Sequence, residues 1–515
     1  MAAIPLSDDV LQEKRKLKKS LFRLDLVFFT VCAILAIDTL SQSASYGFQT
    51  IFWLVVSAAT FMIPYALLSA ELGTTFPVEG AAYEWVRLAF GHFAGAITAV
   101  LYWLSNPIWL GGTLAAGAIA AMDALWGTKI ADNTALSIII GLAFVWTAVI
   151  MNILSLRSMK WVPNLGALVK VGLFVLFGLL VVVTGLQHGF KGDTSNFIPT
   201  NIAVFVGVIG VLIFQWVGFE MQSNASEEME NPQRDVPRAV TLSGIICVIS
   251  YAIPIAGIVL LLGSKDLSNV TSFATGYQTA VGNALGGGAQ NVINGIVGAA
   301  IVFALLSSGV VWLMGSDRLM AIGSLQGSGP RAFGRFSARF GTPVTVNVWS
   351  GLLSSLFVVA TFLITSGNLA SYFSVVLVLA ISTTTFSYLA VFPALWVLRR
   401  RYPNARRPYR VPGGMVGVAI VVLLTEGYAL LATVFSLWPN ICSLDDGSCF
   451  GASATGPVSE LGRLPYELTV LVTMGIVLAV GVVFYMIGKR HAVYDRWPDE
   501  PVLVEQPQVA GVRRG

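Results

Sequence analysis

Ala36-Ile37-Asp38-Thr39-Leu40-Ser41-Gln42-Ser43-Ala44-Ser45 lies inside a run, residues 24–47, that is otherwise mostly apolar. The run is long enough to cross a bilayer, which takes ~20 residues. Its middle and outer half nevertheless carry five hydroxyl or amide side chains and one carboxylate. In hydrocarbon every backbone N–H and C=O must be satisfied within the protein, so a helix is interrupted only where it faces a cavity or other protein. A mid-bilayer carboxylate costs ~2.5–3.5 kcal/mol, which makes Asp38 either part of a site or the partner of a neighbouring helix. A second stretch, Phe214-Gln215-Trp216-Val217-Gly218-Phe219-Glu220, places a glycine and two polar groups at similar depth in the run 203–226, and the same two readings apply to Glu220.

Working outward, the chain of 515 residues is 56% apolar and only 11% charged, against about 25% charged for an average soluble domain. That composition excludes a soluble enzyme, a disordered chain, a collagen and a disulfide-stapled module. Hydrophobic runs predict helices over about 24–47, 50–72, 92–123, 133–154, 164–185, 203–226, 239–263, 289–320, 344–365, 371–398, 414–437 and 466–488. The expected fold class is therefore an all-α integral membrane protein with 12 transmembrane helices. Every Lys and Arg falls on the side of the termini except Lys129, Lys191, Lys265, Arg463 and the intramembrane Lys170. By the positive-inside rule both termini are cytoplasmic, in the cell (inner) membrane. A basic tail, 1–23, precedes one membrane domain, 24–488, and a Pro-rich charged tail, 489–515, reads as disordered. The N-terminal stretch lacks the features of a secretory signal. The basic runs 14–19 and 399–410 read as juxtamembrane anchors on the lipid bilayer, and no aromatic-interleaved platform supports nucleic acid as a partner.

Interruptions at matching places in successive five-helix blocks point to an inverted-repeat transporter with its site at the midplane. The blocks are 24–185 and 203–398, a 5+5 arrangement, with 414–488 supplying two extra C-terminal helices.

Four blocks of sequence then resemble a known family. They are Glu71-Leu72-Gly73-Thr74-Thr75-Phe76-Pro77-Val78-Glu79-Gly80-Ala81-Ala82-Tyr83 with Arg87-Leu88-Ala89-Phe90-Gly91; Gly218-Phe219-Glu220 with Glu227-Glu228-Met229-Glu230-Asn231-Pro232 through Ala239; Gly315-Ser316-Asp317-Arg318; and Leu398-Arg399-Arg400 through Arg407-Pro408-Tyr409-Arg410-Val411-Pro412-Gly413-Gly414. In this order and at these topological positions they resemble the amino acid, polyamine and organocation (APC) superfamily of permeases, which have the LeuT-type fold. The resemblance implies a secondary active transporter, a permease or antiporter that moves an amino acid by alternating access and is coupled to protons or to exchange. A polyamine or amine carrier is the alternative cargo class, and a non-translocating nutrient sensor is the alternative of a different class.

The resemblance also implies a substrate site between the broken first and sixth spans, walled by the third, eighth and tenth. Ile37, Asp38, Thr39 and Ser41 are the candidates on the first span, and Phe214, Trp216 and Gly218 on the sixth. Where the family usually has a Gly-Ser-Gly break this chain has Ile37-Asp38-Thr39-Leu40-Ser41. Asp38 repels a carboxylate and attracts a second amine. An indole closing over an ammonium is worth ~0.5–2 kcal/mol, and ordinary packing is the other reading of Trp216. On the third span Trp103, Asn106 and Trp109 recur every three residues beside Pro107, which puts them on one broad face. Trp103 and Asn106 are thus further substrate candidates, with interhelical hydrogen bonding as the alternative for Asn106.

Lys170 matches the lysine that stands in for sodium in some relatives, with Ser307 and Ser308 lining the same pocket; a snorkelling lysine is the other reading. Glu220 is a second candidate for proton coupling. Glu227, Glu228 and Arg318 are candidates for an inner gate of ion pairs, or for a solvated loop. Cys442 and Cys449 read either as a disulfide or as two free thiols. No acid, base and nucleophile set emerges, so the chain is not expected to be an enzyme. His92, His188 and His491 have no metal-ligand spacing, and Gly286-Gly287-Gly288 lacks a phosphate-loop lysine. Neither cofactor nor metal is expected.

Overall fold

The computed structural model describes residues 21–154, 159–192, 194, 197–199, 203–262, 272–285, 287–364, 369–437, 441–442, 449–450 and 463–491. The expected basic run 14–19 and nearly all of the C-terminal tail lie outside them. The helices are α1 (Arg23–Ile34), α2 (Leu40–Ala44), α3 (Gln49–Thr75), α4 (Ala81–Phe90), α5 (His92–Trp126), α6 (Thr134–Ile153), α7 (Trp161–His188), α8 (Ala203–Trp216), α9 (Pro232–Leu261), α10 (Ser272–Leu285), α11 (Gly287–Leu325), α12 (Val344–Ile364), α13 (Leu369–Arg401), α14 (Gly414–Leu437) and α15 (Arg463–Gly488). Among the described residues eleven helices are long and apolar enough to cross a membrane, α1 and α2 being counted together. α8 has 14 residues and stops where the polar stretch begins.

These helices form where the apolar runs predict them. Outer helices turn Leu, Ile and Val outward: Leu186, Leu423, Val416 and Ile476 are all more than half exposed, as lipid-facing residues are. The first span, by contrast, is enclosed along almost its whole length, from Leu26 to Leu40. Two further helices were not foreseen. α4 occupies the connection expected as a plain loop and is buried from Ala81 to Ala89, while α10 lies in the connection between α9 and α11. Gly80 opens α4 at φ +73, against Ile322, so the turn at this position suits glycine.

Two arginines of the 399–410 segment turn inward, while Arg400, Arg406 and Arg410 stay exposed. Glu71, at the end of α3 and 1% exposed, accepts from Arg399 Nε (2.7 Å) and Nη2 (2.6 Å) and from the Val411 backbone N–H (2.7 Å). Arg407 Nε lies 3.5 Å from the same carboxylate, and Arg401 donates to the Leu88 carbonyl. A buried carboxylate needs paired donors, and here it folds the 399–411 segment onto α3 and α4. Beyond α14, Ile441–Cys442 (β1) and Cys449–Phe450 (β2) pair antiparallel, with Cys442 opposite Cys449. The side chains of these two cysteines lie outside the described residues.

Candidate functional site

The first span uncoils after Ile34. Leu35 and Ala36 are extended, a 3₁₀ turn covers Ile37–Thr39, and α2 resumes at Leu40. The break strands the carbonyls that residues 36–38 would have met in a continuous helix. Side chains from three other helices take them. Lys170 Nζ of α7 donates to Cys32 O (2.5 Å), Trp312 Nε1 of α11 to Ala33 O (2.9 Å), and Tyr251 Oη of α9 to Ile34 O (2.6 Å). The same Tyr251 hydroxyl accepts from the freed Ala36 N–H (2.8 Å).

The sixth span breaks differently. α8 ends at Trp216, Gly218 takes φ +123, and a 3₁₀ segment runs over Met221–Glu228. Local turns absorb the freed groups: Val217 N–H to Phe214 O, Met221 N–H to Gly218 O and Ser223 N–H to Glu220 O. A β-carbon on Gly218 would sit 3.3 Å from Ile34 and 3.4 Å from Trp312, so glycine serves both the backbone angle and the close approach to the first break.

Asp38 sits on the short 3₁₀ turn and is 7% exposed. Its Oδ2 accepts from Trp109 Nε1 at 2.7 Å and from Thr113 Oγ1 at 3.4 Å. Its Oδ1 has no hydrogen-bond partner. Trp109 and Thr113 reach it because α5 widens into a π turn over Leu110–Leu114, a device common at functional sites. A cavity of about 20 Å³ opens beside Asp38, lined also by Ile37, Phe273 and Ala274 of α10, and Phe373 of α13. That is room for about one water, so the site is closed around its carboxylate.

Lys170 is fully buried and, besides Cys32 O, donates to Ser308 Oγ of α11 (2.6 Å). Ser307 accepts from Cys32 Sγ at 3.4 Å. One turn before Lys170, Gly166 has no side chain where a β-carbon would lie 2.4 Å from Ser307 and 2.9 Å from Cys32, and this lets α1, α7 and α11 converge. The buried ammonium thus bridges α1, α7 and α11 in the protein interior.

Glu220 is fully buried, and its Oε1 accepts from Tyr102 Oη of α5 and Tyr388 Oη of α13, both at 2.6 Å, while Oε2 has no partner. It does not line the Asp38 cavity. Between the two carboxylates stand Trp109, Trp312 and Tyr102, with ring centroids 6.1 and 6.2 Å apart. α8 is joined to the 3₁₀ turn and α2 of the first span by Gln215, whose Nε2 donates to Thr39 Oγ1 (3.0 Å) and Ser43 Oγ (2.9 Å).

The remaining expected residues divide. Thr39 and Ser41 are buried on the first span, and Phe214 stands edge-on to Trp109 at 5.6 Å. Trp216 points elsewhere, donating to Ser57 of α3 (2.9 Å) and packing on Tyr251. Trp103 donates to Ser350 of α12 (2.7 Å), and Ser350 donates in turn to the buried Asp317 (2.7 Å). Asn106 donates to the carbonyl of Tyr102 in its own helix. The three-residue spacing misleads because a helix turns ~100° per residue, so six residues leave Trp103 and Trp109 ~120° apart. Arg318 pairs with Glu79, Nε to Oε1 3.4 Å, both buried; the side chains of Glu227 and Glu228 lie outside the described residues. Tyr251, Trp312, Tyr102, Tyr388, Thr113 and Gln215 were not singled out from sequence as site residues. Spacing gave a signal only for Trp109.

Apolar helices interrupted by uncoiled backbone, with one buried carboxylate beside each break, fit the build of a multi-pass membrane transporter. The chain belongs to the amino acid permease family, whose model matches residues 21–442, and so to the APC superfamily. It is 27% identical over 429 residues to the "Probable agmatine/putrescine antiporter AguD" of Lactococcus lactis, covering 83% of this chain and 89% of that protein. It is 24% identical to the "Branched-chain amino acid permease BcaP" of Bacillus subtilis, covering 80% and 88%. Among solved structures, the manganese transporter of Eremococcus coleocola in complex with an aromatic bis-isothiourea substituted compound aligns over 94% of this chain and 98% of that one, with a TM-score of 0.59 and 13% identity. That likeness is one of fold, the LeuT fold of APC-type transporters.

Proposed function

We propose that this protein is a secondary transporter that carries a small ammonium-bearing solute by alternating access, with the ammonium docking on Asp38. The solute class is an amino acid, and the carboxylate at the first break favours those with a second amine, or simple amines. The observation that carries this is Asp38 itself: a buried carboxylate on uncoiled backbone, lining a cavity, with one oxygen lacking any hydrogen-bond partner. A buried charge of this kind is compensated by a cation that enters. Trp109, Phe214 and Trp312 supply aromatic faces to the same cation.

Lys170 takes the place of a coupling cation between the first, fifth and eighth spans, so that transport is linked to protons or runs as exchange. Glu220, held by two tyrosine hydroxyls, is the second proton-linked group. Arg318 closes the inner side through Glu79. The full architecture is twelve spans in a 5+5 inverted repeat with two additions, the break at Gly218 completing the sixth span, and both termini are cytoplasmic.

The test is counterflow in proteoliposomes with labelled arginine, leucine and putrescine. Wild type exchanges at least one of them, and Asp38→Asn loses the solutes with an extra amine at least tenfold while remaining folded. Binding without counterflow would identify a sensor. Unchanged selectivity in Asp38→Asn would remove Asp38 from the site.

A further inference from the structure

Two arginines of one crowded stretch of sequence, Arg399 and Arg407, turn inward on Glu71, whereas basic residues far apart in sequence come to one region of the surface. α15 is a candidate span from Tyr466 to Gly488, and a 3₁₀ turn, Lys489–His491, follows it. At Gly488 a β-carbon would lie 2.4 Å from Gly327 O and 2.5 Å from Gly329 N. The end of α15 therefore abuts the segment that leaves α11 and enters the 3₁₀ turn Arg331–Gly334. This contact sets the helix end that carries Lys489 and Arg490 against the segment that carries Arg331, Arg335 and Arg339, and all five are exposed. Neither 327–340 nor 481–491 contains an Asp or Glu.

Below these cations is an aromatic shelf. Lys489 Nζ lies 5.9 Å over the ring of Tyr485, which stacks edge-on with Phe93 at 5.2 Å. Phe333 packs on Phe484 (5.7 Å) and Trp349 (6.4 Å), and Trp349 and Phe93 are about half exposed. Further along α15, Leu468, Val472, Ile476 and Val483 face outward. Aromatic rings of this kind sit at headgroup depth. Exposed guanidinium groups match phosphate oxygens in paired hydrogen bonds.

We infer that the junction of the α15 terminus with the α11–α12 loop binds the headgroup of an anionic phospholipid, its acyl chains lying along the outward face of α15. The phosphodiester and net negative charge are what the site recognises. Diffuse attraction of a basic surface to an anionic leaflet is weaker and indifferent to which cations are removed.

The full chain in detergent, titrated with phosphatidylglycerol and separately with phosphatidylcholine, is read by native mass spectrometry and by melting temperature. Phosphatidylglycerol is retained and raises the melting temperature, and phosphatidylcholine does not. Arg331→Gln/Lys489→Gln/Arg490→Gln weakens retention by on the order of tenfold or more, as expected for three lost cations. The charge-matched control Arg400→Gln/Arg406→Gln/Arg410→Gln, also exposed, retains the lipid. Lys489→Arg/Arg490→Lys keeps the affinity, which separates charge from misfolding. Equal losses in the two triple variants would overturn the site, as would retention of both lipids alike or displacement of phosphatidylglycerol by millimolar inorganic phosphate.

Discussion

The two interruptions lie against each other yet are held open by opposite means. The break in the first span contains no glycine; its stranded carbonyls are claimed by Lys170, Trp312 and Tyr251, which come from three other helices. The break in the sixth span has Gly218 and closes its hydrogen bonds within its own turns. An unsatisfied polar group costs several kcal/mol in hydrocarbon, so each break persists only while its own donors remain. For the sixth span that condition is local and permanent. For the first it depends on side chains that belong to three other helices.

This contrast predicts graded outcomes. Lys170→Ala has the largest effect: it removes the donor to Cys32 O and the bridge to Ser308, and counterflow falls by about hundredfold or more with loss of any proton dependence. If Lys170→Ala transports normally, the first break does not rely on its side-chain props. Tyr251→Phe removes one hydroxyl that both donates to Ile34 O and accepts from Ala36 N–H, a loss of ~1–3 kcal/mol, seen as a fall in melting temperature and roughly tenfold slower transport. Gly218→Ala acts on the other break, through a positive φ that costs ~1–2 kcal/mol and contacts at 3.3 Å. Its cost adds to that of Tyr251→Phe if the breaks are independent, and a double-mutant cycle with a large interaction term would show that they open as one unit. Trp312→Phe is the mildest, giving up only the bond to Ala33 O, worth ~1 kcal/mol, while keeping an aromatic face. A larger effect on cargo affinity than on melting temperature would assign the indole to binding.

Sequence exposes the polar side of this design and hides its partners. Asp38, Glu220 and Lys170 stand out because an ionisable group in an apolar run is costly and rare. Tyr251, Tyr102, Tyr388 and Trp312 do not stand out, because an aromatic residue in a membrane helix reads as packing until a carbonyl or carboxylate is placed against its polar tip. The interruption itself was legible in the first span from its hydroxyl cluster, although the family's glycines are missing there. Tyr251 supplies the reason that they are dispensable. The spacing argument on α5 failed for Trp103 because it ignored helical drift, and the π turn then re-aimed Trp109 and Thr113. The ion pair of Arg318 with Glu79 joins a residue inside α11 to one in the α3–α4 connection, a proximity that linear order does not encode.

Gln215 has a mechanical consequence. Its amide clasps Thr39 and Ser43 at a depth where water cannot substitute for either contact. While those bonds last, α2 and α8 are coupled as a single paddle, with Gln215 as the rivet.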